Sequence, residues 1–201
     1  MGILLVVTEQ REFLGADRAR DYELIRQRLE RVAATPVTSE HYLDIGKLDD
    51  VEALVLSGSS APWAAHDPAM LESFGDAVRA FDGPVLGICA GMQLQAMFAG
   101  GAVGHAPATV ATGFAPVEVL EEACLFRGLP PEITVYHRHT DEITTLPDEF
   151  HVVARSVSCA IEAIADPARR WFGTQFHPEE FSPEHPAGDR VLRNFFESVS
   201  C

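Results

Sequence analysis

Pro84-Val85-Leu86-Gly87-Ile88-Cys89-Ala90-Gly91-Met92-Gln93 is the stretch that decides how the rest of the chain is read. Pro84–Ile88 is a short apolar run that reads as a buried strand, and Ala90 to about Ala99 reads as the helix that follows it. Between them, G-x-C-x-G has the spacing of a nucleophile elbow, the thiol counterpart of G-x-S-x-G. A residue on so sharp a turn has strained backbone angles, and side chains two positions away would crowd it. Glycine at 87 and 91 relieves the crowding. The turn sets the Cys89 sulfur at a helix N-terminus, where unpaired N–H groups favour a thiolate, and aims the Ala90 N–H at an oxyanion forming beside it. The competing reading of Cys89 is a small buried hydrophobe, the ordinary state of a free cysteine.

Upstream of the elbow, strand and helix patterns alternate. Ile3–Thr8 reads as a strand and Asp17–Val32 as a helix with apolar residues at Tyr22, Leu24, Ile25, Leu29 and Val32. Val51–Leu56 is a second buried strand running into the loop Ser57–Trp63, and a helix is predicted over Ala69–Phe81. Such alternation implies a parallel sheet with helices on both faces. Downstream, Phe114–Leu120, Ile133–Tyr136, His151–Ser156, Ala160–Ala165 and Trp171–Phe176 are closely spaced strand candidates, which points to an antiparallel extension closed by a helix at Asp189–Ser198. No repeat or linker divides the 201 residues, so a single domain over 1–201 is expected.

The bulk numbers exclude some functions. A net charge of -15, with the single lysine Lys47 against fourteen scattered arginines, argues against nucleic acid as a partner. No apolar run approaches membrane-spanning length, and the short segment Met1–Thr8 lacks the basic flank of a signal peptide. Cys89, Cys124, Cys159 and Cys201 form no C-x-x-C pair, so free thiols in a reducing cytoplasm are expected.

A base for Cys89 is offered by Phe172-Gly173-Thr174-Gln175-Phe176-His177-Pro178-Glu179. A β-rich run delivers His177, and Pro178 is expected to hold the link to Glu179 extended, so that residues i and i+2 project to one side. The carboxylate can then fix the imidazole tautomer and stabilise its charged form. A solvent-facing His-Pro-Glu turn is the alternative for this tripeptide taken alone; elbow and tripeptide together are much harder to reach by chance.

Pro84–Gln93 and Phe172–Glu179 together resemble the class I, triad-type glutamine amidotransferases. Ser57-Gly58-Ser59 stands where that family has its oxyanion loop. His139-Thr140-Asp141-Glu142-Ile143, Leu146-Pro147, Phe150 and Cys159-Ala160-Ile161-Glu162-Ala163-Ile164 resemble the glutaminase domain of GMP synthases. The likeness runs from about Val51 to Phe196. It implies a three-layer, flavodoxin-like α/β fold and hydrolysis of L-glutamine to glutamate and ammonia. Cys89 would be the nucleophile, His177 its base and Glu179 the orienter, with the oxyanion held by the N–H of Ala90 and one from Gly58 or Ser59. It also implies that Gln93 and the segment Arg138, His139 and Thr140 bind the substrate. No cofactor is implied. No G-x-x-x-x-G-K phosphate loop is present, so ammonia is expected to pass to an acceptor site on a separate synthetase subunit.

Three departures bear on these expectations. The family's Gly-Gly-Pro loop is Gly58-Ser59-Ser60-Ala61-Pro62 here, and a residue larger than glycine at 59 is expected to change how its N–H is presented until a partner docks. Arg138 replaces a small serine common in GMP synthases, and Glu180–Pro186 does not follow their wording. Two other functions share the architecture: a γ-glutamyl peptide hydrolase, which must admit a bulky leaving group, and a non-catalytic regulatory chain, against which the complete triad counts. His137-x-His139 with Asp141 has the look of a metal motif, but no further ligands follow at matching spacing, and no metal is expected. Trp63 and His66 are placed either at the substrate mouth or as loop anchors. Cys124, Cys159 and Cys201 are expected to be structural or incidental.

Overall fold

In the computed structural model, residues 2–106, 112–122 and 124–199 are described. The first half alternates β1 (Gly2–Val7), α1 (Ala16–Ala33), β2 (Val37–His41), β3 (Val51–Leu56), α2 (Pro68–Arg79), β4 (Val85–Ile88) and α3 (Ala90–Phe98). The second half runs β5 (Ala102–His105), β6 (Gly113–Val119), β7 (Glu132–His137), β8 (Asp141–Thr145), β9 (His151–Arg155), β10 (Ala163–Asp166), β11 (Trp171–Thr174) and α4 (Ala187–Val199).

Nine of these strands form one sheet in the order β2-β1-β3-β4-β11-β10-β9-β6-β7. The five strands from β2 to β11 are parallel, and β10, β9, β6 and β7 continue the sheet antiparallel. The expected parallel sheet, flanking helices and antiparallel extension are all present. Period-two alternation sorts the core onto two faces. Ile3, Leu5, Val55, Leu86 and Phe172 pack with Leu29 and Val32 of α1 and Val191, Leu192 and Phe195 of α4. Leu4, Val6, Leu54, Leu56, Val85 and Trp171 pack on the other side with Phe74 and Val78 of α2 and Met92, Leu94 and Phe98 of α3. Central strands buried on both faces explain why their sequences are continuous apolar runs. The start of α2 is fixed locally: the Asp67 carboxylate accepts from the N–H groups of Ala69 and Met70, with Pro68 in the first helical turn.

Three strands were not expected. In β2, four of the five residues are exposed or half-exposed, so this edge strand carries little apolar pattern. Among the described residues, β5 and β8 pair only with each other, in a small second sheet. The expected strand over Ala160–Ala165 begins only at Ala163, and that over Trp171–Phe176 ends at Thr174. No helix among the described residues is long and apolar enough to cross a membrane.

The elbow packs with no room for added atoms. A Cβ on Gly87 would lie 2.5 Å from the Met92 backbone nitrogen, and one on Gly91 would collide with the Leu56 carbonyl. Both obstacles are backbone and cannot rotate away. Gly91→Ala is therefore expected to cost about 1–3 kcal/mol or more. At Gly15 a Cβ meets nothing within 4 Å, so Gly15→Ala should stay within about 0.5 kcal/mol of the parent. Urea midpoints of the two variants check this; equal midpoints would contradict the close packing at the elbow.

Candidate active site

Cys89 stands between β4 and α3 with φ 52° and ψ −107°, a conformation L-residues rarely adopt. Its N–H donates to the Thr174 carbonyl at 2.7 Å, which pins the elbow to the end of β11. The side chain is 5% exposed. Its sulfur lies 3.8 Å from the Arg138 carbonyl oxygen and 3.5 Å from the Gln175 amide nitrogen.

His177 approaches from the segment after β11. Its Nε2 lies 3.3 Å from the same Arg138 carbonyl oxygen, and its Nδ1 lies 2.8 Å from Glu179 Oε1. The sequence reading expected an extended link from His177 to Glu179. The structure has a 3-10 turn over Pro178–Glu180 instead. Proline fits the first position of a helical turn, where no N–H is required, and the turn still brings carboxylate to imidazole. Arg28 from α1 donates to the Glu179 carbonyl and holds this turn down. Burial alone would push the His177 imidazole down. The Glu179 charge and the neighbouring Cys89 sulfur outweigh it and hold the group well above its ordinary range.

The loop after β3 faces this pair. Tyr22 and Ser57 donate their hydroxyls to the Gly58 carbonyl at 2.9 Å each. Behind the loop stands Glu9, fully buried, at the carboxyl end of β1. Its carboxylate accepts from Ser59 Oγ at 2.8 Å, Ser60 Oγ at 2.7 Å, and the N–H groups of Ser60 and Ala61 at 2.9 Å each. The N–H groups of Gly58, Ser59 and Ala90 have no hydrogen-bond partner among the described residues. The side chain at 59 thus anchors the loop from behind. Sequence reasoning missed Glu9; the available signal was an acidic residue at the carboxyl end of a buried parallel strand, where such sheets build their sites.

Gly58, Ser59, Cys89, Ala90, Gln93, Arg138, His139, Thr140, His177 and Glu179 line one cavity of about 670 Å³. The structure therefore brings these residues to one cavity, from the segments after β3, β4, β7 and β11 and from the start of α3. Gln93 is already engaged: its amide donates to the Asp141 carbonyl at 2.6 Å and to Gln175 Oε1 at 3.1 Å, and its oxygen accepts from the Trp63 indole at 3.1 Å. Trp63 lines the cavity, whereas His66 is buried edge-on against Tyr42, 5.8 Å between ring centroids, as an anchor. Cys124 and Cys159 are free thiols away from this pair. Cys201 lies outside the described residues.

Glu9 supports a prediction. Burial raises its carboxyl, but hydrogen bonds from Ser60, Ser59 and Ala61 outweigh this and hold it below the ordinary 4.5. A depressed carboxyl contributes stability that is present above its unfolded value and lost as pH falls through the folded one. Melting temperatures of wild type and Glu9→Gln measured between neutral pH and pH 3 should differ most at neutral pH and converge below about 4.5. A gap that stays constant with pH would contradict an ionised Glu9.

A family model described as glutamine amidotransferase class-I matches residues 22–199. The chain is 39% identical to a glutamine-hydrolyzing GMP synthase subunit of Pyrococcus abyssi over 151 residues, 74% of this chain and 78% of that protein. It is 36% identical to the protein of the same name from Methanococcoides burtonii over 171 residues, covering 83% and 82%. A solved structure from Thermoplasma acidophilum, described as that of a candidate GMP synthase subunit, superposes with a TM-score of 0.78 at 29% identity, covering 100% of this chain and 95% of that one. By the span of that family match and by its architecture, the chain belongs to the class-I glutamine amidotransferase family.

Proposed function

We propose that Cys89, His177 and Glu179 hydrolyse glutamine to glutamate and ammonia, and that the ammonia is used by a separate synthetase chain. The observation that carries this reading is the convergence of sulfur and imidazole on one carbonyl oxygen, with Glu179 2.8 Å behind the imidazole. The thiolate attacks the side-chain amide carbon, and the developing oxyanion meets the unpartnered N–H groups of Ala90 and of Gly58 or Ser59. Collapse expels ammonia, which takes its proton from the His177 imidazolium and leaves a glutamyl thioester. His177 then removes a proton from water, the hydroxide attacks the thioester, and glutamate departs from the regenerated sulfur. Gln93 and Arg138–Thr140 shape the end of the cavity that holds the substrate's α-amino and α-carboxylate groups. The relatives are named as glutamine-hydrolyzing subunits of GMP synthase, which favours amination of a purine nucleotide by a second, ATP-dependent chain. The free thiols of Cys89, Cys124 and Cys159 support a reducing, cytoplasmic setting.

Glutamate release from glutamine, with and without a GMP synthetase chain, tests this. Cys89→Ala should lose at least about 10³-fold in kcat/KM, and the synthetase should raise the wild-type rate. Release of glutamate from γ-glutamyl peptides but never from free glutamine would replace this reading with a peptide hydrolase. The pH profile tests the roles within the triad. Against the pull of burial, the Glu179 charge holds the His177 imidazole well above its ordinary range, so His177 keeps its proton to higher pH than a free imidazole. Glu179→Gln should therefore move the alkaline limb of kcat/KM to lower pH. An unmoved limb would deny Glu179 this part.

A further inference from the structure

Beside the cavity, sharing only His139 with its lining, lies a second group of polar side chains, of which the amidotransferase chemistry does not use Glu142 or Cys159. His139 comes from the loop between β7 and β8, Glu142 from β8 and Cys159 from the loop between β9 and β10. One donor atom from each lies within 4.8 Å of the others. His139 is 9% exposed and Cys159 2%. Both nitrogens of His139 and the Glu142 Oε2 are buried without a hydrogen-bond partner, and so are the Glu162 Oε2 and both nitrogens of His137 beside them. Orphaned buried polar atoms are rare in folded proteins, and a concentration of them calls for a cause such as a bound ion. The sequence reading set metal aside because no ligands followed His137-x-His139 at matching spacing. The fold supplies them from elsewhere, and Asp141 turns away to His105, with Oδ1 3.3 Å from Nδ1.

We propose that His139, Glu142 and Cys159 form a site for a divalent cation of the zinc class. The donor set selects that class: thiolate and imidazole suit zinc, whereas calcium and magnesium require oxygen throughout. Three protein donors leave a fourth position to solvent or to Glu162, which is fully buried next to Cys159 and Glu142. The charges close, since one thiolate and one carboxylate neutralise a divalent ion. The Cys159 thiol donates to the Ile161 carbonyl at 3.3 Å. Binding replaces that S–H by a sulfur–metal bond and releases one proton to solvent. His137 Nδ1, 3.5 Å from Glu162 Oε1, stands in the outer ring. The ion would tie the β7–β8 loop, which carries the Arg138 carbonyl to Cys89, to the β9–β10 loop.

The test is cobalt titration of the chelator-stripped full-length protein, followed by displacement with zinc. Wild type and Cys89→Ala should both develop a near-ultraviolet thiolate-to-cobalt charge-transfer band, which zinc abolishes. Cys159→Ser should lose the band, and Glu142→Gln should weaken zinc binding by about 10-fold or more, each variant keeping the wild-type far-ultraviolet circular dichroism. If Cys159→Ser does not fold, Glu142→Gln decides. No band in wild type, a band that survives Cys159→Ser or disappears in Cys89→Ala, or unchanged zinc affinity in Glu142→Gln would each overturn the proposal.

Discussion

The approach of α3 to the backbones of β3 and β4 is the constraint from which the rest of the site follows. At Gly91 the helix touches the Leu56 carbonyl, and at Gly87 the strand touches the Met92 nitrogen. With no side chain between the layers, the connection from β4 into α3 has only one residue in which to turn. That residue, Cys89, takes a positive φ at a cost on the order of 1–3 kcal/mol. The hydrogen bond from its N–H to Thr174 helps hold the strained turn in place. The sulfur is thus fixed at the carboxyl edge of the parallel strands by backbone packing, and its partners arrive on loops.

One of those partners comes from the far end of the sheet. β7 is four strands removed from β11, yet the His177 N–H donates to the Tyr136 carbonyl at 2.8 Å. The antiparallel half therefore curls back until its last strand meets the segment following β11. This closure carries Arg138 over the elbow and places one carbonyl oxygen against both the sulfur and the imidazole. It also explains how His137 and His139 become neighbours of Glu162, distant from them in sequence and in strand order, in an interior that would otherwise be apolar.

Much of this was legible in the sequence. The buried parallel strands announce themselves as apolar runs, and the elbow has a local steric reason, so neither depends on tertiary context. Edge strand β2 and the pair β5–β8 were not legible, because half-exposed strands carry no apolar periodicity. Cys89, His177 and Glu179 could be named as a set, but the turn that joins the last two was misjudged: Pro178 suits an extended link and a helical first turn equally. Glu9 escaped notice because the loop that its carboxylate anchors lies about fifty residues away along the chain. The group around Cys159 escaped for the same reason, since ligand spacing along the chain says nothing about loops that a curled sheet brings together.

Two buried carboxylates show how surroundings decide what such a group can do. Glu9 and Glu162 are both fully buried. Glu9 accepts four hydrogen bonds from a single loop, enough to outweigh burial and keep it ionised. Glu162 is raised to about 7 by burial and by Glu142, with a hydrogen bond from Ser156 offsetting only part. The first is therefore a fixed anion, and its position has a consequence for the cavity. By engaging the N–H groups of Ser60 and Ala61, Glu9 fixes that part of the loop, while the N–H groups of Gly58 and Ser59 stay without a partner among the described residues. A negative charge behind the loop would by itself oppose an oxyanion in front, but Arg18, 3.7 Å from Glu9, offsets part of that field. The serine-rich loop thus reaches an ordered arrangement by a side-chain route, with a buried anion fixing the backbone where a glycine-rich loop would rely on conformational freedom.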